Sequence, residues 1–134
     1  MRYLLDVNAL IAFGHTGHQF HRRVATWAAS LGQTGIPEFG TSSITELGFV
    51  RVLSQTSVYN IDVEQARALL TNLKRFKGLN FEFIADDHDV SHLPAWVKTS
   101  KQTTDGHLAQ LAKANGAILA TLDEDIPGSF IIPM

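Results

Sequence analysis

An α/β sandwich built on a mostly parallel sheet, with helices on both faces, is the fold class this sequence predicts. Three observations predict it. Short apolar segments alternate with longer amphipathic ones, the pattern of strands joined by helical crossovers. No repeat, low-complexity run or Pro/Gly/Ser-rich linker divides the 134 residues, a length that suits one domain. Turn and cap residues, among them Gly14, Gly32, Asp62, Gly78 and Asn115-Gly116, fall where the pattern changes.

Taken in order, Arg2–Asp6 is a short apolar run ending in the polar pair Asp6 and Asn8, the mark of a buried strand. Ala9–Phe13 begins a helix that stops at Gly14. A second helix is predicted over His18–Ser30, with Phe20, Val24, Trp27 and Ala28 on one face. Ile36–Thr41 reads as a second strand, followed by a helix over Ile44–Ser54 that sets Glu46, Phe49, Val50 and Leu53 on one side. Asp62 with Gln65 three residues on is a helix start. That helix turns Val63, Ala66, Leu70, Leu73 and Phe76 inward and is closed by Lys74, Lys77 and Gly78. Asn80–Ala85 alternates with Phe81, Phe83 and Ala85 on one side, a third strand. Asp86–Val97 is irregular, with a helical turn before Pro94. Thr104–Asn115 is helical with Leu108, Leu111 and Ala112 inward; Ala117–Leu122 and Phe130–Ile132 complete a sheet of four to five short strands.

Composition removes several function classes. Zero cysteine excludes disulfides, thiolate metal sites, Fe–S clusters and cysteine nucleophiles. The opening apolar stretch is broken by Asp6, too soon for a signal peptide, and no apolar run approaches the ~20 residues of a membrane span. The expectation is a soluble, cytoplasmic protein without a membrane partner. Eleven basic against thirteen acidic residues give −2, which by itself looks poorly suited to nucleic acid, since phosphate affinity comes from Lys and Arg.

The distribution of the acids matters more than their sum. In open parallel sheets, sites form beyond the carboxyl ends of strands, where loops enter helix N-termini. Asp6 ends the first strand, Glu46 and Asp105 lie in first turns of helices, and Asp123 ends the fourth strand two residues after Thr121. Carboxylates gathered in a cleft repel one another unless a cation offsets them, and Mg²⁺ or Mn²⁺ takes such oxygen ligands. Each acid also has a plainer account. Ser43-x-x-Glu46 is a capping box, Asp105 suits the positive end of its helix, and Asp123-Glu124-Asp125 before Pro127-Gly128 is an acidic turn. Asp6 is harder to explain away, because a carboxylate closing a buried strand needs a partner.

The segments YLLDVNAL (3–10), TSSITELGFVRVL (41–53) and TTDGHLAQLAKANGAILATLDED (103–125) resemble PIN-domain nucleases, and more narrowly the VapC toxins of bacterial toxin–antitoxin pairs. The resemblance spans nearly the whole chain and implies a single PIN domain over residues 1–134, a three-layer sandwich. It implies an endoribonuclease dependent on Mg²⁺ or Mn²⁺ that leaves 3′-hydroxyl and 5′-phosphate ends. It implies Asp6, Glu46, Asp105 and Asp123 as catalytic metal ligands, with Thr121 as the hydroxyl residue before the last acid. It implies RNA as substrate, a VapB-type antitoxin that blocks the acidic cleft, and a homodimer formed by helical surfaces. Many PIN domains carry Thr or Ser directly after the first aspartate; here Val7 stands there, with Asn8 next to it.

Other features are weaker. His15, His18 and His21 repeat every three residues, a spacing that drifts around a helix and suits exposed helix-start histidines better than one metal site. His107 is placed to contact RNA or a neighbouring acid, or simply to face solvent. The polar stretch Val97–Thr104 brings Lys98 and Lys101 close to Asp105, or is an ordinary solvated loop; Arg22, Arg23, Lys74, Arg75 and Lys77 read as solvated helix faces, and Trp27 and Trp96 as packing residues. A receiver-like Mg²⁺-binding regulatory module is the competing class, but it needs paired acids after the first strand and a Lys after the last. A dehalogenase-like phosphatase needs Asp-x-Asp where the chain has Asp6-Val7-Asn8. A catalytically inactive RNA-binding PIN protein is a third reading. Without the four site acids, eleven bases face nine acids, so the rest of the surface is mildly basic and compatible with RNA.

Overall fold

A computed structural model describes all 134 residues. The elements are β1 (Arg2–Leu5), α1 (Val7–Gly14), α2 (His21–Leu31), β2 (Glu38–Thr41), α3 (Ser43–Gln55), α4 (Val63–Lys74), β3 (Asn80–Phe83), α5 (Thr103–Ala114), β4 (Ala117–Thr121) and β5 (Phe130–Ile131). Single turns of 3-10 helix at Val90–His92 and Ser100–Gln102 interrupt the long connection before α5. The sheet is wholly parallel in the order β3-β2-β1-β4-β5.

Successive residues of a strand face opposite sides, and here both sides are covered. Leu5 and Ala120 join a large cluster with Leu10, Phe13, Trp27, Phe39, Phe49, Leu53 and Leu70, drawn from α1 to α4. Their neighbours Leu4 and Leu119 turn the other way, onto Leu108, Leu111 and Ala112 of α5. Four helices therefore cover one face and α5 the other. Trp27 is locked edge-on against Tyr3 and against the rings of Phe39 and Phe130, a packing role as its sequence context suggests.

The register sets the strand ends level. Leu5 pairs with Ala120, Leu4 with Gly40, and Thr41 with Phe83. The ladder runs one residue further through Asp6 N–H to the Ala120 carbonyl at 3.1 Å and Ile84 N–H to Thr41 at 2.7 Å. The order in which strands are added reverses at β1, since β2 and β3 lie to one side and β4 and β5 to the other. Such a switch opens a crevice outside the carboxyl ends of β1 and β4.

Several expected inward faces differ. Val63 and Phe76 are 52% and 64% exposed, because α4 ends at Lys74 and buries only the arc through Ala66 and Leu70. Phe83 is 49% exposed and Ala85 is also exposed, since β3 is an edge strand. Phe20 precedes α2, which starts at His21. His15 and His18 do not converge on an ion; their Nδ1 atoms accept the N–H of Gly17 and Phe20 in the α1–α2 turn. Arg23 is not merely solvated, because Nε and Nη2 donate to the Ile132 carbonyl at 3.0 and 2.6 Å and pin the C-terminal strand to α2.

Helices α1 and α3 approach most closely at Gly48, where an added Cβ would stand 2.6 Å from Val7 Cγ2. Gly48→Ala is expected to destabilise the protein by about 1–3 kcal/mol, the usual cost of overpacking. Combined with Val7→Ala the loss should shrink, giving a non-additive double-mutant cycle in denaturant unfolding. Additive effects would refute the contact.

Candidate active site

Asp6 leaves β1 and immediately caps α1. Its Oδ1 accepts the Ala9 N–H at 2.8 Å, satisfying one of the orphan donors of the first turn. The cap fixes the carboxylate at the mouth of the crevice, and the surrounding core leaves it 7% exposed. Burial is the main reason its pKa is raised to about 6; the charges of Asp105 and Asp123 push the same way, while the Thr121 hydroxyl and the Ala9 N–H hold the rise down.

Asp105 reaches the same crevice from the first turn of α5, which runs back toward β4. Burial raises its pKa as well, and Asp123 adds to the rise. Asp123 follows β4 and is exposed. Its N–H donates to Thr121 Oγ1 at 2.9 Å and its Oδ1 accepts the Asp125 N–H at 2.8 Å, so Thr121 sits between Asp6 and Asp123. The three aspartates, expected from the sequence to converge, thus act on one another electrostatically.

Glu46 stands apart from them. Its Oε2 accepts the Thr41 hydroxyl at 2.6 Å and pairs with Lys74 Nζ at 2.7 Å. The capping box expected from Ser43 and Glu46 is formed instead by Ser42 and Thr45. Glu46 is therefore free of capping duty, and Lys74 is not simply a solvated lysine. No three His, Asp or Glu side chains are close enough, as they stand, to enclose a single ion.

The chemistry of the donors is nonetheless specific. Asp6, Asp105 and Asp123 offer carboxylate oxygens alone, the first two desolvated and flanked by like charge. That set suits a hard divalent cation, and Mg²⁺ needs only one or two carboxylates because it keeps several waters.

Sequence reasoning missed Thr41, Lys74 and Asp86. Asp86 lies three residues beyond the end of β3, at the same end of the sheet as the strand-end acids, and adjoins the strand that the sequence pattern extends to Ala85. Its Oδ2 lies 2.5 Å from His107 Nε2, which settles His107 on a neighbouring acid rather than open solvent. Burial pushes Asp86 upward, but the hydrogen bonds from His107 and the His88 N–H outweigh it and hold the carboxyl below its usual range. Asn8 is exposed in the first turn of α1, Val7 lies against Gly48, and Lys98 and Lys101 are exposed before α5. A Cβ at Gly106 would run into Val97 Cγ2, so this glycine lets the segment before α5 fold onto the turn that carries Asp105.

Two grooves flank the structure. One, of about 540 Å³, lies between α3 and α4 and includes Glu46 and Lys74 in its walls. The other, of about 510 Å³, is lined by Phe13, Ala28, Leu73 and Leu79 and contains no carboxylate. It opens beside the residues that precede β2 and β3, at the opposite end of the sheet from the acids.

The PIN domain family model matches residues 3–128. Ribonuclease VapC38 of Mycobacterium tuberculosis is 35% identical over 127 residues, covering 92% of this chain and 86% of the relative. Ribonuclease VapC39 of the same species is 32% identical over 133 residues, covering 96% and 94%. Among solved structures, VapBC2 from Rickettsia felis bound to a promoter DNA fragment superposes with a TM-score of 0.62 at 16% identity, covering 98% and 97% of the two chains. DNA-bound VapBC from Salmonella typhimurium gives 0.51 at 19% identity, covering 98% and 96%. At those identities the structural likeness bears on the fold.

The raised pKa of Asp6 makes a stability prediction with a definite sign. Its proton is held more tightly in the folded state, so this contribution is full below pH 4 and is lost as pH rises to about 6. Asp6→Asn keeps a capping oxygen and removes the charge. In EDTA at pH 7 it should be more stable than the parent by about 1–3 kcal/mol, with the difference vanishing near pH 4. Urea unfolding across pH measures this, and a variant less stable than the parent at pH 7 would contradict it.

Proposed function

The chain belongs to the PIN domain family, and on that premise we propose that it is a divalent-cation-dependent endoribonuclease, the toxin of a toxin–antitoxin pair. The observation that carries the reading is the electrostatic repulsion among Asp6, Asp105 and Asp123 at the crevice outside β1 and β4, in a chain whose relatives are ribonucleases. Asp6, Asp105 and Asp123 would hold Mg²⁺ or Mn²⁺, directly or through water, and Glu46 would contribute from the β2 side. Such an ion would supply a water of lowered pKa and positive charge to offset that developing on the phosphodiester.

The chain's own residues do the rest. Asp6 is oriented before any substrate arrives, because the α1 cap and the Thr121 hydroxyl fix its carboxylate. Thr121 also holds the Asp123 backbone, so one buried hydroxyl sets two acids. The positive end of α5 draws anionic groups toward the crevice. Lys74, paired with Glu46, places an ammonium at the edge of the same site for a neighbouring phosphate.

The solved relatives are VapBC assemblies, which supports an antitoxin as partner. The apolar groove lined by Phe13, Ala28 and Leu73 offers surface that a partner segment would shield from water. A homodimer through helical surfaces belongs to the same proposal. No helix is long and apolar enough to cross a membrane, and the setting we assign is the cytoplasm, where RNA is.

The test is cleavage of labelled RNA with Mg²⁺ or Mn²⁺ and with EDTA. Chelation should abolish cleavage. Asp6→Ala and Asp105→Ala should each lower it by more than about 100-fold, beyond the usual cost of disturbing outer-shell groups, while circular dichroism stays unchanged. Undiminished cleavage in both variants, or in EDTA, would overturn the proposal. Co-expression with the adjacent open reading frame should suppress the activity.

A further inference from the structure

We propose that the groove between α3 and α4 seats the single-stranded RNA that flanks the cleaved bond. The inference rests on the ribonuclease reading and adds a subsite to it. The groove includes Glu46 and Lys74, the pair on the β2 side of the fold, in its wall and reaches Phe83 at the open edge of the sheet. Its two sides differ in chemistry. The α4 side presents Arg67, Thr71 and Lys74, spaced by four and three residues and therefore in one line along the helix.

Arg67 is exposed and makes no ion pair or hydrogen bond within the chain. It lies two turns, about 10 Å, from Lys74. The opposite side presents Leu47, 70% exposed, with Phe83 at the sheet edge. Phe83 stacks on no other aromatic ring of the protein. Two cations, Arg67 unpaired and Lys74 shared with Glu46, beside a half-exposed aromatic and apolar wall suit a single strand: phosphates follow the cations while unpaired bases lie on the apolar side. A duplex keeps its bases stacked inside and has no use for that wall. A purely apolar partner would leave Arg67 without a counter-charge.

Binding in EDTA separates this subsite from catalysis. The probe is a fluorescein-labelled oligouridylate of about ten nucleotides, read by anisotropy across a salt series. Arg67→Ala should weaken binding about threefold at low salt and lower the salt slope by about one. Phe83→Ala should weaken it about fivefold or more without changing the slope, and Phe83→Trp should restore affinity. Lys113→Ala, at the far end of α5, should bind as the parent does. Wild-type affinity in both the Arg67→Ala and Phe83→Ala variants overturns the groove assignment even where the parent cleaves RNA. So does a change of oligomeric state or antitoxin affinity with RNA binding intact, because the groove is then a protein interface. Absence of RNA binding by the parent overturns it also. Loss of binding in the variants supports the subsite whatever the cleavage assay shows.

Discussion

Asp6 carries two demands on one side chain, and much of the structure follows from meeting both. Its oxygen must cap α1, which holds it at the end of the central strand. Its charge must then exist in a crevice walled by core residues and faced by two more aspartates. Charged groups in such a place are tolerated only where something offsets them. The protein supplies a hydroxyl from Thr121 and an amide from Ala9, which fall short of compensating the burial. The shortfall leaves the crevice in electrostatic deficit, and it falls on the strand flanked by most of the core.

The second acidic position is solved differently. Glu46 is satisfied within the protein, by Thr41 and Lys74. One side of the crevice is thus left in electrostatic deficit while the other is balanced by an internal ammonium. A charge-neutral wall next to a charge-deficient one gives the site polarity across β1, with the groove of α3 and α4 on the balanced side.

What the sequence discloses and what it hides divide along a physical line. Local patterns carried well: the apolar run of β1, the Asp62/Gln65 box of α4, the Asn115-Gly116 stop after α5, where Gly116 takes a φ of +68°, and the strand-end aspartates. Pairings across the fold did not. Lys74 is 28 residues from Glu46 and His107 is 21 from Asp86, and no periodicity reports on either. The box before α3 was displaced by one residue because Ser42 and Ser43 are chemically equivalent and only backbone geometry chooses between them. Periodicity alone turns Val63, Phe76 and Phe83 inward because apolar residues favour the core, yet a helix end and an edge strand have too little neighbouring structure to cover them.

The contact between Val7 and Gly48 bears on how this site can vary. Position 7 is specified by outline, since a β-branched side chain sits over a glycine that leaves it room. Threonine has nearly the same outline as valine. Gly48 therefore keeps open an exchange in which an alcohol enters beside Asp6 with little change of shape. The first turn of α1 is in this sense an interchangeable part, its polarity adjustable while the helix–helix fit above it is kept.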